Sequence, residues 1–432
     1  MSVAARSLPG ALAAVVGRDG WRDDAAGLFA MAIDGIPPRW VAAPATLEEL
    51  AQLLAVAHDE RLAVVPRGSG SAQEQGVPPA RVDLVIDLRR LAGVVEHSPD
   101  DLTITVRAGI TAGALAAHLA PHRQALPVDP PGWHARTLGG IAATQASGPL
   151  RARYGTMRDL LLGARFVQAD GVVTWGGARV VKSVTGYDVP KLLVGSLGTL
   201  GVLGELTLRL HPLPDAEATW LASFRSTAHA QECVAGILDS TLQPNRVEML
   251  DDRALTECGL PVAAAALAVS IATVEPAVRA QGAQLAEQVA RARGRFDTLG
   301  TSFWRVYDRA LGRPGGTILR IGTVPDRLAA TFSQARAALG GVAVAGCAAL
   351  GALRARVETT DPETLAAAVE GLRALVADVD GGVVVERAPR ALREKVDPWG
   401  PIAAPVFAVM EAIKREFDPD GVLNPGRFVG GL

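Results

Sequence analysis

The sequence predicts an α+β (mixed α/β) protein in which a short arm precedes two successive domains. Three observations predict it. A helical pattern followed by a strand running into a Gly/Ser loop occupies residues 45–71. Two strand-like runs flank Asp170-Gly171, a hairpin signal. Beyond residue 214, strand-like runs alternate with Ala/Arg-rich helical segments. A chain of 432 residues favours two domains over one, and 49% hydrophobic against 20% charged residues supplies a sizeable core.

Residues 1–40 read as the arm, with a short helix over Leu8–Val16 and a turn at Asp34-Gly35-Ile36-Pro37-Pro38. Thr46 is an N-cap with Glu49 three residues on, the spacing of a capping box. Leu50, Leu53, Leu54 and Ala57 then recur at helical spacing to about Asp59. Strands are expected over 61–65, 83–88 and 102–106, and Thr111 caps a helix to about Ala120. Ala164–Val167 and Val172–Trp175 form the hairpin around Ala169-Asp170-Gly171. Val202–Leu210 is a strand that His211-Pro212-Leu213-Pro214 breaks, and the domain boundary is placed there. The second domain, 215–432, carries strand-like runs at 266–272, 317–322, 342–345 and 383–386, and an amphipathic helix over Leu365–Val376.

Composition excludes several function classes. The formal net charge is −2 with acids and bases interspersed, which argues against a nucleic-acid footprint. No run is apolar and long enough to span a bilayer. Met1–Gly17 lacks a charged segment followed by a clean apolar core, so it does not read as a signal peptide. Cys233, Cys258 and Cys347 are scattered, which argues against an iron–sulfur cluster on this chain and fits a reducing cytoplasm.

Chemistry concentrates in three glycine-bearing segments. The first is Arg67-Gly68-Ser69-Gly70-Ser71. The second spans Thr137-Leu138-Gly139-Gly140, the short apolar run Ile141–Thr144, and Ser147-Gly148-Pro149. The third, Lys191–Leu210, places Gly195, Gly198, Gly201 and Gly204 at every third position. Glycine lets backbone approach a ligand, and Ser and Thr add donors that suit an anion such as a pyrophosphate. Gln73 stands where a G-x-G-x-x-G fingerprint needs its third glycine, and no G-x-x-x-x-G-K-[ST] occurs. Each segment alone reads equally as a turn, or as a buried helix between loops.

Taken together over Val41–Pro214, the three segments resemble the FAD-binding domain of the vanillyl-alcohol oxidase / p-cresol methylhydroxylase (PCMH-type) superfamily. Further residues resemble the FAD-binding subunit of glycolate oxidase. These are Gly148-Pro149-x-Arg151-x-x-x-Gly155-x-x-Arg158-Asp159, Val181 to Asp188, Leu193 to Val202, and Phe417 to Arg427. The resemblance implies a two-lobed FAD-binding domain over 41–214 and an α+β cap domain over 215–432 that forms the substrate side. It implies cofactor contacts from Arg67, Gly68, Ser69, Gly70, Ser71, Pro130, Thr137, Leu138, Gly139, Gly140, Ala143, Thr144, Ser147, Gly148, Tyr154, Gly155, Gly201 and Val202. Many members tether the flavin through a His at the end of the first Gly loop. Ser71 stands there, so non-covalent FAD is expected.

The activity the resemblance implies is oxidation of glycolate or a similar small 2-hydroxy acid. The expected partners are a larger flavoprotein subunit and an iron–sulfur subunit, in the cytoplasm or peripheral to the inner membrane through them. Arg320 is the candidate catalytic residue, read either as a carboxylate clamp or as an Arg pointing outward from a strand. Related D-2-hydroxyacid dehydrogenases carry metal-ligating and catalytic histidines in the cap, with a Gly-Glu-His-Gly run. Here the corresponding run is Val385-Glu386-Arg387-Ala388, and none of the seven histidines lies after His229. No metal site is therefore expected. Two alternatives stay open: a non-catalytic FAD-binding assembly or electron-relay subunit, and a sugar or alcohol oxidase of the same superfamily.

Overall fold

Helix Leu47–Asp59 forms as the pattern predicts, and the Thr46 side chain accepts from Glu49 N. The Glu49 carboxylate reaches back to Ala45 N at 2.7 Å, one residue before the position a capping box uses. The helix buries Leu50, Leu53, Leu54 and Ala57 against a four-stranded sheet. A computed structural model of the protein describes residues 7–177, 187–313, 315–340, 342–358 and 361–432. Most of the expected segment Val181–Asp188 thus lies outside the described residues. The order in the first sheet is Trp21–Arg22, Trp40–Ala42, Leu84–Asp87, Val64–Arg67, its last three strands parallel. The arm belongs to this sheet. Leu12 and Val16 of helix Leu8–Gly20 are buried in the same core. The turn at Asp34-Gly35 has both φ angles positive, 52° and 79°, the geometry that closes a two-residue hairpin.

The second sheet is antiparallel, in the order Val94–Ser98, Thr103–Arg107, Val202–Arg209, Leu161–Val167, Val173–Gly177. The last two strands form the expected hairpin. Helix Leu138–Thr144 packs under this sheet through Leu138, Ile141 and Ala142. His211-Pro212 does not simply end the preceding strand; it pairs with Gln124-Ala125.

An eight-stranded antiparallel sheet follows: Arg295–Leu299, Ala216–Phe224, Ala265–Thr273, Arg246–Leu250, Ala343–Cys347, Ala352–Val357, Thr317–Gly322, Gly382–Arg387. Its period-2 alternation sorts the side chains. Val247, Met249, Leu319, Ile321, Leu353, Ala355, Val383 and Val385 enter one core with helices 227–238, 275–291, 328–339 and 362–376. The intervening Glu248, Arg320, Arg354, Arg356 and Glu386 therefore face away from that core.

Within the interval 215–432, residues 404–427 leave this sheet. Ile413 and Phe417 of helix Ala404–Phe417 pack on the second lobe. The tail then runs parallel to the first sheet, with Val64 N donating to Val422 O (2.9 Å) and Asn424 N to Val64 O (2.8 Å). Asp418, buried beside Lys414, accepts from Val422 N at 2.9 Å and Leu423 N at 2.8 Å. Among the described residues no helix is long and apolar enough to cross a membrane.

Candidate active site

The first Gly loop and helix Leu138–Thr144 are held in contact by the absence of side chains. A Cβ on Gly68 would lie 2.0 Å from Thr137 Oγ1, and one on Gly140 would lie 2.9 Å from it. Thr137 caps the helix by accepting from Gly140 N (3.3 Å). Gly139 faces the other way: its N donates to Ala108 O at 2.8 Å, and Ala108 fills the space a Cβ would need. The third segment closes the wall, with Leu197 N donating to Ala143 O at 2.8 Å. Two small cavities of about 50 and 70 Å³ lie between these pieces. One is lined by Gly68, Thr137, Gly140, Gly201 and Val202, the other by Gly68–Gln73, Gly140, Ala143, Thr144 and Asn424.

The tail locks the far side of this cradle. Asn424 donates to Leu197 O at 2.7 Å. Arg427 donates to Gln73 O (2.5 Å) and Gln75 O (2.7 Å). Asp34 pairs with both Arg393 and Arg427, and all three side chains are nearly fully buried, at 1–3% exposure. Burial pushes the Arg427 guanidinium down to about 10 against the opposing pull of Asp34. The loop Gln73–Gly76 is thus fixed by a buried ionic triad, since Arg393 also donates to Gly76 O at 3.1 Å.

A cavity of about 660 Å³ opens from the Gly loop toward the eight-stranded sheet. Arg67 and Arg136 line it from one side, and Arg354, Glu386 and Arg387 from the other. Glu386 accepts two hydrogen bonds from Arg354, at 2.9 and 2.7 Å. Burial alone would raise its carboxyl, but Arg354, Arg320 and Arg136 outweigh burial and hold it below the ordinary value. Burial pushes Arg136 down to about 10, with Glu386 opposing. One carboxylate thus stands among several guanidiniums, and the excess positive charge suits an anion.

Beside this lies a cavity of about 70 Å³, lined by Ser147, Gly148, Arg151, Glu248, Tyr307, Arg320 and Arg354. Tyr307 OH donates to Glu248 Oε2. Oε1 is buried and has no hydrogen-bond partner among the described residues. Burial pushes the Glu248 carboxyl up to about 8; Tyr307, Arg354 and Arg246 oppose it, and Asp129 reinforces it. Its folded-state value lies above the unfolded 4.5. The native chain therefore keeps a proton that the unfolded chain releases, and this group makes stability fall as pH rises between about 4.5 and 8.

The structure brings together Arg67–Ser71, Thr137, Gly139, Gly140, Ala143, Thr144, Gly201 and Val202 around the small cavities, and Ser147, Gly148 and Arg320 in the third. Leu138 is a core residue of the helix, and Pro130 is buried and lines none of these cavities. Tyr154 lines none of these cavities. It packs on His211 at 5.0 Å and lines an apolar cleft of about 760 Å³ with Trp133, His134 and Trp304, which shares Tyr307 and Leu311 with the cavity that holds Glu248. Gly155 turns the chain at φ +77°. Tyr187 is 97% exposed, and Trp399 donates to Arg427 O at 3.2 Å behind the Gly loop. Sequence reasoning missed Arg136, Glu248, Tyr307, Arg354, Asn424 and Arg427. The signal for Glu248 and Arg354 was a charge at alternate positions of an otherwise apolar strand.

Comparison with known proteins matches residues 38–177 to the FAD binding domain, and 213–298 with 402–428 to the C-terminal domain of FAD linked oxidases. The chain is 37% identical over 225 residues to the probable mitochondrial D-lactate dehydrogenase of Danio rerio, a match spanning 51% of this chain and 45% of that protein. The chain thus covers less than half the length of that relative. It is 28% identical over 394 residues to glycolate oxidase subunit GlcE of Escherichia coli (strain K12), covering 90% and 97% of the two chains. An uncharacterized FAD-linked oxidoreductase of Mycobacterium tuberculosis is 30% identical over 423 residues, 91% of each chain. The structure of p-cresol methylhydroxylase with substrate bound shares the fold, with TM-score 0.79 at 16% identity, covering 97% and 96% of the two chains. With this overall likeness to a relative along nine-tenths of both sequences, the chain belongs to the FAD-linked oxidoreductases of the D-lactate dehydrogenase and glycolate oxidase family.

Proposed function

We propose that the protein oxidises a small 2-hydroxy acid at the cap-side cavities and works as a subunit of a glycolate oxidase type complex. The observation that carries this reading is the cationic face of Arg320 and Arg354 on the eight-stranded sheet, with Arg136 facing it from the side of a glycine-walled cradle. FAD supplies the two-electron acceptor when bound. The residues present fit it: the small cavities between the glycine segments are walled largely by backbone and small side chains, and Arg67 Nε, Arg136 Nε and Asn424 Oδ1 are buried polar atoms without partners among the described residues. Arg67, Ser69, Ser71 and the backbone of Gly68–Gly70 would hold the phosphates. Arg320 and Arg354 would fix the substrate carboxylate.

Anaerobic stopped-flow mixing with glycolate, D-lactate and larger 2-hydroxy acids tests the reading; bleaching of the bound flavin by at least one acid is the expected result. Arg320→Met is expected to lower kcat/KM about a hundredfold or more, the scale of removing one partner of a buried charge pair. Arg320→Lys should recover little, because an ammonium lacks the planar fork. Unchanged kinetics in both variants would remove Arg320 from the site. A neutral sugar or alcohol makes no use of this cationic face, which disfavours the oxidase alternative.

Arg387, at the place where related dehydrogenases carry a histidine, favours a second reading. Here the chain holds FAD as a non-catalytic assembly or relay subunit, and turnover of the acid is slow or absent until a larger flavoprotein and an iron–sulfur subunit are added. The complex would be cytoplasmic, or peripheral to the inner membrane. Reconstitution with candidate subunits separates the two readings.

The FAD is expected to be non-covalent. Ser71 offers no ring nitrogen, and the three cysteines are buried, their thiols pushed up to about 12 chiefly by burial. Acid precipitation should leave a white pellet and a yellow supernatant. Flavin retained on the denatured chain would contradict this.

A further inference from the structure

Resting on the functional reading above, we infer that Glu248 is the base that takes the hydroxyl proton of the 2-hydroxy acid, with Tyr307 as its positioning residue. The inference starts from a charge in the wrong place. Strand Arg246–Leu250 is central to the eight-stranded sheet, paired on both sides, and Glu248 sits there at 2% exposure. A carboxyl in such a position is costly unless its hydrogen-bonding capacity is met. Only half of it is. Oε2 is engaged by the Tyr307 hydroxyl, and Oε1 has no partner among the described residues. The side chain borders the same cavity as Arg320, Arg354 and Arg151. An unmet acceptor beside guanidiniums that suit a carboxylate is the arrangement a hydroxy acid needs, its anionic end on the cations and its hydroxyl on the acceptor.

The groups that face Glu248 set its chemistry. Arg246 is on its own strand. Cys347 lies opposite on the neighbouring strand, Tyr307 comes from helix Phe303–Gly312, and Arg354 and Arg320 come from the next two strands. Asp129 and Arg151 come from the first domain, Asp129 paired with Arg246 at 3.3 Å. Burial dominates this set and favours the protonated acid. The base form is therefore available on the alkaline side of neutrality, and its basicity is higher than that of an exposed carboxylate. In the step, the substrate O–H bond breaks and its proton goes to Oε1. The α-C–H bond would break with its hydrogen leaving as a hydride, for which FAD, when bound, would be the two-electron acceptor. The C–O bond becomes a carbonyl, so the acid is oxidised by two electrons and the flavin is reduced by two.

The test uses the FAD-loaded full chain and three proteins: wild type, Glu248→Gln and Tyr307→Phe. Wild-type flavin reduction by D-lactate or glycolate should rise along an alkaline limb. Glu248→Gln should lose that limb and about 10²–10⁴-fold in reduction rate, with the FAD dissociation constant unchanged. Tyr307→Phe should keep the limb, shifted in pH. Independent of turnover, infrared difference spectra of the wild type should show a protonated carboxyl band that titrates in the same pH range and is missing in Glu248→Gln. A Glu248→Gln protein that loads FAD and reduces at the wild-type rate would overturn the inference while leaving the functional reading intact. A wild type whose flavin no hydroxy acid reduces would overturn both. A carboxyl band present in both proteins would also count against the assignment.

Discussion

Gly68→Val is expected to yield a folded but colourless protein, with FAD affinity lowered about a hundredfold. The β-carbon it introduces would stand 2.0 Å from Thr137 Oγ1, well inside van der Waals contact. Thr137 cannot yield easily, because it is 1% exposed and caps the helix. The loop must therefore move, and with it the donors of Ser69 and Ser71. Overpacking of this kind costs about 1–3 kcal/mol, and each 1.4 kcal/mol is a factor of ten in affinity. Gly371→Ala is the matched control. It lies inside helix Pro362–Val376, and a Cβ there meets nothing within 4 Å. It should keep full flavin and gain about 0.5–1 kcal/mol of stability from helix propensity. Isothermal titration of the apoproteins with FAD, alongside far-ultraviolet circular dichroism, makes the comparison. Wild-type affinity in Gly68→Val would show that the loop is no part of the cofactor site.

Asp34→Ala should destabilise the fold by about 3–5 kcal/mol, the cost of leaving buried cations without their counter-charge. Two guanidiniums depend on this one carboxylate, and each side chain is at most 3% exposed. Arg427 is already held down by burial, so losing Asp34 removes the interaction that keeps it charged inside. The melting temperature should fall by about 3–6 °C. The loss should persist at high salt, because buried pairs are screened little. Glu275→Ala serves as contrast, since its pair with Arg279 is about 70% exposed on both sides and should move the transition little. Thermal unfolding followed by calorimetry reads both; a shift below 1 °C for Asp34→Ala would remove the triad from the account of stability.

Much of the first domain was legible because its signals are local. Thr46 with Glu49, Thr111, and Asp170-Gly171 act within a few residues, and each forms a cap or turn in the structure. The glycine segments were legible as a set, and the cavities between them bring most of their residues together. The eight-stranded sheet was less legible. Ala216–Phe224, Arg246–Leu250 and Ala352–Val357 are strands, but Glu217, Arg246, Glu248, Arg354 and Arg356 interrupt their apolar runs. Those interruptions are where the sheet turns a polar face toward the first domain. A strand whose alternate residues serve a cavity reads as irregular until the cavity is known. Asn424 and Arg427 belong to a segment that carries the family resemblance, but their contacts were unreadable for another reason: their partners, Leu197, Gln73 and Gln75, are more than two hundred residues away.

That separation has a consequence for synthesis. Strand Val64–Arg67 lies at the edge of its sheet, and the segment that covers it, Val422–Asn424, is translated about 360 residues later. At 5–20 residues per second the interval is about 20–70 s. Throughout it the nascent first domain presents an unpaired edge, the feature by which strands recruit one another between chains. The wall supplied by Asn424 and Arg427 does not exist during that time, so the trough beside the Gly loop stays open. Closure of the trough is thus tied to synthesis of the tail, and crowded polysomes expose the chain to misassociation until the tail has docked.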